Sequence, residues 1–361
     1  VGIASCGVPG LPAGLGALWV AHGRLPWARL VEPALRLATQ GVAMPAAHAS
    51  CLSMLAPVMT MNEGARIYSP AGSILREGDL LHQPGLVTAL EAMTDEGAAT
   101  FYSGTIAEAL LELMDEREGL VARKDLATYE SRWNDPVELE FRGHSVRSRS
   151  GLGDFPGTLA SLPRLRGLDE PARVLALAGT LAGKSASTGT TNVAVLDAEG
   201  NACVLTTSLG LGSGDFVPGF DLHLNSMLGE ADLIQETGRP GDRMASMMSP
   251  AIALEGGNVQ LAAGAAGGTR LRSALLQVVA GVLDEGLESQ AAVDRPRIHP
   301  VGSVVQLEPG FAAETLRALE RAGYEVRVWP ARHHYFGGVS VVTPSGGAGD
   351  PRRSGDVQVL R

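Results

Sequence analysis

Apolar residues recur at three- and four-residue spacing from Leu15 to His22 and again from Trp27 to Thr39. The second run carries Leu30, Val31, Ala34, Leu35, Leu37 and Ala38, and the spacing predicts two amphipathic helices. Further helices are expected near Ala46 to Leu55, Pro84 to Thr94 and Gly104 to Asp115. Val137 to Phe141, the turn Arg142-Gly143 and His144 to Arg147 read as strand, turn and strand. Residues 151 to 189 look irregular apart from a helix around Ala172 to Leu181. The second half of the chain changes period. Thr191 to Leu196 and Ala202 to Thr207 are β-branched, apolar runs on either side of Asp197-Ala198-Glu199-Gly200-Asn201, which is the pattern of a hairpin. Ala251 to Leu254 and Val259 to Ala262 form another expected pair around Glu255-Gly256-Gly257-Asn258, followed by a Gly-rich loop feeding a helix from Leu271 to Leu283. Strands at Val304 to Leu307, Glu325 to Trp329 and Gly338 to Val342 flank a helix from Ala312 to Arg321. Hairpin turns outnumber βαβ crossovers, so the expected class is α+β, or layered α/β, with antiparallel sheets. No GxGxxG follows the first strand, which removes a Rossmann reading.

The 361 residues suit one large domain or two, and no repeat, low-complexity tract or composition break marks a linker. Hydrophobic residues at 45%, charged residues at 19% and a mean hydropathy of +0.10 describe a compact folded chain. With aromatics at 4% and 46 glycines, its core must be packed from Ala, Leu and Val between many tight turns. A net charge of −10 argues against nucleic acid as a partner, because phosphate binding requires a basic surface. No uncharged apolar run reaches 18 residues, so no membrane partner is expected. Cys6, Cys51 and Cys203 lie far apart without a CxxC pair, which predicts small buried hydrophobes rather than a zinc site or a disulfide framework. The cytoplasm is favoured over the periplasm or secretion, the compartment being otherwise unassigned. The chain starts at Val with no signal-peptide pattern, and an upstream segment is expected.

No GxSxG elbow, HExxH or Walker loop is present, so serine hydrolase, zincin and P-loop chemistry lose their main supports. His333 and His334 are neighbours that would point to opposite faces of a strand, which is a poor start for a metal site. What remains is Gly189-Thr190-Thr191-Asn192 at the mouth of the first hairpin, followed by Leu211-Gly212-Ser213-Gly214. Threonine is a poor nucleophile without an adjacent base. Cleavage before Thr190 would give it one: the new α-amino group, with a pKa of ~7.7–8, would sit beside its own Oγ1. The β-branch restricts χ1 and helps to aim the hydroxyl. Gly189 would tolerate the distorted backbone that an N-to-O acyl shift needs. On spacing alone, Thr-Thr at a strand start is also ordinary β-propensity.

The run from Thr190 to Glu230 resembles the start of the small subunit of the γ-glutamyltransferase (γ-glutamyl transpeptidase) family of N-terminal-nucleophile hydrolases. It matches in Thr190-Thr191, Asp197 to Asn201, Thr206-Thr207-Ser208, Gly212-Ser213-Gly214, Pro218-Gly219 and Leu224-Asn225. The resemblance continues through Ser246-Met247-Met248-Ser249-Pro250, Gly264 to Arg270, Pro296-Arg297-Ile298-His299 and Asp350-Pro351-Arg352. Val8-Pro9-Gly10, Leu25-Pro26-Trp27 and Asp125 to Tyr129 are similar to the family's large subunit. The resemblance implies a four-layer αββα sandwich with antiparallel sheets, autocatalytic maturation and a glutamyl-enzyme ester, with no cofactor and no metal. Residues 1–189 would then be a large-subunit-like region lacking the family's N-terminal segment. Residues 190–361 would be the small-subunit-like catalytic region, the two forming one structural domain.

By the same resemblance, Thr190 is the nucleophile, with autocleavage between Gly189 and Thr190, and Ser208 assists it. Gly267 and Gly268 supply backbone N–H groups to the oxyanion. Glu230 and Asn225 fall on substrate-binding positions, Glu230 where an acidic residue holds the substrate's α-amino group, and Ser246 where a serine binds its α-carboxylate. Gly267-Gly268 also reads as a plain turn before a helix, and Glu230 as a solvated surface charge. Asn192, Gly210, Met227 and Met247 stand where the family carries other, mostly polar residues. The family's carboxylate-clamping arginine would lie upstream of Val8-Pro9-Gly10. Burying a carboxylate without it would cost several kcal/mol. The sequence therefore suggests an amidohydrolase that self-cleaves before Thr190 and hydrolyses or transfers a γ-glutamyl or related acyl group, with a more apolar or differently charged acyl group favoured. Its partners would be a small-molecule amide and the two halves of its own chain, with a homodimer left open. The alternative is an unprocessed, catalytically silent relative with a binding or structural role.

Overall fold

A computed structural model describes residues 1–149, 151–182, 190–234 and 239–360. The chain forms two compact units, and each draws residues from both sides of position 190. One comprises Val1–Asn134 and Leu209–Met244, the other Asp135–Ser208 and Ala245–Arg361.

The second unit is built on a six-stranded antiparallel sheet. Its strands are β1 (Val137–Phe141), β2 (His144–Ser148), β5 (Ala251–Glu255), β6 (Asn258–Ala266), β10 (Gly338–Thr343) and β11 (Gly346–Ala348), in the order β11-β10-β6-β5-β2-β1. Between β2 and β5 in sequence come β3 (Thr191–Leu196) and β4 (Ala202–Thr207), which pair only with each other among the described residues. Strand alternation separates the two faces of β6. Leu261, Ala263 and Ala265 enter the hydrophobic core, whereas Gly264, on the other face, lies under Asn192 at the start of the β3–β4 hairpin. The expected strand Val259 to Ala262 therefore runs on to Ala266, through residues that read as a loop. Gly264 is needed for close approach and not for a turn: a β-carbon there would collide with the Asn192 amide oxygen.

On the core face lies α3 (Arg270–Leu283), preceded in sequence by α1 (Phe155–Ser161) and α2 (Glu170–Leu181). Leu271, Leu275, Leu276, Val278 and Val279 of α3 are almost fully buried, so this helix is covered on nearly every side. Burying each such side chain contributes roughly 1.5–3 kcal/mol. The segment 151–161 holds a helix that the sequence reading left irregular. It starts at Phe155, with Pro156 in its first turn, behind the N-cap Asp154, whose carboxylate accepts from the Gly157 N–H at 3.1 Å. A smaller sheet joins β7 (Ile298–Val301) antiparallel to β8 (Val304–Leu307), and β8 parallel to β9 (Glu325–Val328). α4 (Ser289–Asp294) precedes it and α5 (Ala313–Arg321) connects β8 to β9.

The first unit is mainly helical, with helices at Leu11–His22, Trp27–Gln40, Ala46–Met59, Pro84–Glu96 and Thr105–Glu116. Ile106, Leu110 and Leu113 form its core with Val217, Phe220 and Leu224 from the 209–244 segment. Cys6 is part of the same core, and burial pushes its thiol up to about 11. The fold class is α+β, as expected, and the six-stranded sheet is antiparallel throughout; the parallel β8–β9 pair, joined through α5, departs from the expected all-antiparallel pairing. Among the described residues, no helix is long and apolar enough to cross a membrane.

Candidate active site

The β3–β4 hairpin fixes the position of Thr190. Its ladder pairs Leu196 with Ala202, Asn192 with Thr206 and Thr191 with Thr207. The next step of that register sets Thr190 opposite Ser208, just past the last ladder pair. Directly opposed residues hold their β-carbons ~4.5–5.5 Å apart, within reach of a hydroxyl pair. Thr190 is buried. Two residues on, Asn192 anchors the hairpin to the sheet. Its side-chain oxygen accepts from Thr206 Oγ1 at 2.6 Å and its carbonyl from Ser340 Oγ at 3.0 Å, while its Nδ2 is buried with no partner among the described residues. Gly189 lies outside the described residues.

Gly267 and Gly268 form the step between β6 and α3. Both have positive φ, +136° and +59°. A β-carbon at Gly267 would stand 2.7 Å from the Cα of Gly337, so backbone meets backbone there. The Gly267 and Gly268 carbonyls accept from Arg270 N and Leu271 N, each at 3.1 Å, and so start the helical ladder. The step thus sits at the positive end of a fully formed helix.

Behind it is a group of four buried charges: Arg297, Asp350 and Arg352 lie in the matched motifs, whereas no motif in the sequence points to Glu308. Arg297 Nη1 donates to the carbonyls of Phe336 (3.3 Å) and of Gly337 (3.2 Å), the residue whose Cα faces Gly267, and Arg297 Nη2 meets Asp350 Oδ2 at 2.5 Å. Asp350 also accepts from Val339 N at 3.0 Å. Arg352 bridges Asp350 and Glu308. Burial pushes the Asp350 carboxyl up, but Arg297 and Arg352 outweigh that and hold it below its ordinary value. Burial pulls Arg297 down to about 10. Nearby, Ser273 Oγ and His299 Nδ1 are 2.7 Å apart, and burial together with Arg270 and Arg272 pulls His299 down to about 3, leaving it neutral.

Ser246 belongs to the same unit. Its hydroxyl accepts from Met248 N at 3.2 Å and its carbonyl from Leu152 N at 3.0 Å; Met247 beside it is buried. Glu230 and Asn225 belong to the first unit. Glu230 Oε1 lies 3.3 Å from Leu211 N, and a β-carbon on Gly210 would stand 2.5 Å from that oxygen. The carboxylate therefore occupies the space that a side chain at position 210 would need. Asn225 uses its oxygen for Gly7 N (3.0 Å) and Met227 N (3.1 Å), and its nitrogen for the Gly7 carbonyl (2.8 Å). In the Gly212-Ser213-Gly214 turn, Gly214 N donates to His223 Nε2 at 3.0 Å.

A sequence profile of the gamma-glutamyltranspeptidase family matches residues 1–174 and 169–360. The chain belongs to this family. Among its relatives is the glutathione hydrolase proenzyme of Escherichia coli K12, 27% identical over 97% of this chain and 74% of that protein. The acylase ACY 1 proenzyme of Pseudomonas sp. strain V22 is 26% identical over 90% of this chain and 70% of its own length. The cephalosporin acylase of Bacillus halodurans has the same fold, with a TM-score of 0.85 at 22% identity, covering all of this chain and 79% of that one. The chain thus has the family's sequence pattern over almost its whole length and shares the fold of that acylase.

Proposed function

We propose that the protein is an amide-acyl hydrolase that matures by cleavage before Thr190 and works through a threonyl ester. The observation that carries this reading is the hairpin register, which sets Thr190 opposite Ser208 at the end of a ladder anchored to the central sheet. Cleavage would leave an α-amino group with a pKa of ~7.7–8 next to Thr190 Oγ1, able to take its proton at neutral pH. Oγ1 would attack the substrate carbonyl, with Ser208 as hydroxyl partner. The developing oxyanion would be held by the N–H groups of Gly267 and Gly268 at the head of α3. One such donor is typically worth ~2.7–4 kcal/mol of barrier. The amine product leaves with the proton from the α-ammonium, and water then resolves the ester along the same path. The proenzyme names of the hydrolase and acylase relatives support maturation by processing.

Polar groups for an amino-acid head are scarce on the positions inferred to bind it: Gly210 has no side chain, Met247 cannot donate, and Glu230 and Asn225 are engaged with backbone. An acyl group without a free α-amino group fits these positions better than γ-glutamyl. The test is turnover of an aliphatic-acyl p-nitroanilide against γ-glutamyl p-nitroanilide, with intact-mass analysis for an acyl adduct on the fragment that begins at Thr190. Faster release from the aliphatic substrate, lost in Thr190→Ala, is expected. Preference for the γ-glutamyl substrate would overturn the specificity, and no turnover of either would favour a silent relative.

A further inference from the structure

The second unit carries a basic cavity at the end of α3 far from Gly267 and Gly268. At 1.5 Å per residue the two ends of this helix lie roughly 20 Å apart. A space of about 200 Å³ there is lined by Arg142, Arg164, Arg166, Leu283 and Asp284. A second space of about 410 Å³ shares Arg166 and Leu283 with it. Three guanidinium groups thus meet one carboxylate, in a protein whose net charge is −10. That carboxylate is already committed: Asp284 Oδ2 accepts from Leu165 N at 2.6 Å, and Oδ1 lies 3.1 Å from Arg142 Nε.

The three cations differ in how they are held. Arg142 donates to the Leu162 carbonyl at 3.0 Å and covers the Phe141 ring at 4.6 Å. It occupies a left-handed position of the β1–β2 turn, at φ 55°, where Asn or Gly is the ordinary choice. Arg166 Nε donates to the Asp284 carbonyl at 2.7 Å. Arg164 has no ion pair or hydrogen bond among the described residues. Clustered cations against an apolar wall strengthen the field felt by an entering anion. The larger space adds Ser289, Thr343 and Ser345 as hydrogen-bonding groups and His144, whose Nδ1 is buried with no partner among the described residues. Glu288 also lines it and disfavours negative charge there.

We infer that this cavity binds a small organic anion, distinct from the acylated amide at Thr190. Its phosphate or carboxylate head rests on Arg164 and Arg166 with Arg142 behind, and its uncharged body lies in the larger space. Calorimetric titration of the whole protein with phenyl phosphate and with phenylacetate tests this and shows which head is preferred. Saturable binding of at least one probe is expected, weakened by added NaCl. Arg164→Ala and Arg166→Ala should each lower the affinity about tenfold or more, Arg164→Lys should restore part of it, and Thr190→Ala should leave it unchanged. Because the exposed Arg164 makes no ion pair or hydrogen bond among the described residues, its variant is expected to stay folded. The inference fails if neither probe saturates below about 1 mM, if both arginine variants bind like the parent, or if Thr190→Ala abolishes binding.

Discussion

The step at residues 264–268 and the segment at 209–230 treat their polar groups in opposite ways. Around Gly267, buried charges hold backbone carbonyls from behind, and the glycine backbone is fixed at the head of a helix. In the 209–230 segment, side chains turn inward: Glu230 and Ser226 accept from Leu211 N, and Asn225 closes on Gly7 and Met227. The first arrangement suits stabilisation of a charge that appears only during reaction. A ligand reaching the second would have to displace hydrogen bonds already made, each worth ~0.5–1.5 kcal/mol net.

Gly267→Ala is the strongest way to break this contrast. A methyl group cannot fit 2.7 Å from Gly337 Cα at φ +136° without moving the step. A fall in kcat of ~10²–10³ is expected with the fold retained, measured by acyl-anilide turnover alongside circular dichroism. Next comes Asp350→Ala, which leaves Arg297 buried and unpaired. It should destabilise the protein by about 3–5 kcal/mol in urea unfolding, and Arg297→Met added to it should recover part of that.

Acid provides a smaller effect. His299 titrates at about 3 in the fold and near 6.5 when unfolded, so between those values the unfolded chain binds more protons and stability rises with pH. Lowering the pH from 6.5 to 3 should therefore remove on the order of 2–4 kcal/mol, and His299→Gln should flatten that part of the profile. The smallest change belongs to Glu230→Gln, which keeps an acceptor for Leu211 N. Less than about a threefold change in kcat/KM for an aliphatic-acyl substrate is expected. A large rise in KM confined to a γ-glutamyl substrate would return Glu230 to the role of amine holder.

Local pattern made the β3–β4 hairpin legible residue for residue, because both alternation and the Asp197 to Asn201 turn act within a few positions. Gly264 to Ala266 misled because the reason for glycine lies in Asn192, more than seventy positions away. Strand β7 was missed since His299 and Pro300 interrupt its apolar run. The proposed nucleophile Thr190 and the proposed role of the Gly267-Gly268 step come from the family resemblance alone. The Arg297–Asp350 pair joins residues 53 apart, which no spacing rule connects.

The central claim is that Thr190 becomes a chain terminus. Denaturing mass spectrometry of freshly purified, active protein tests it most directly. The account predicts two fragments, ending at Gly189 and beginning at Thr190, and a single uncut chain for Thr190→Ala. An uncut parent chain that still turns over amides would contradict it.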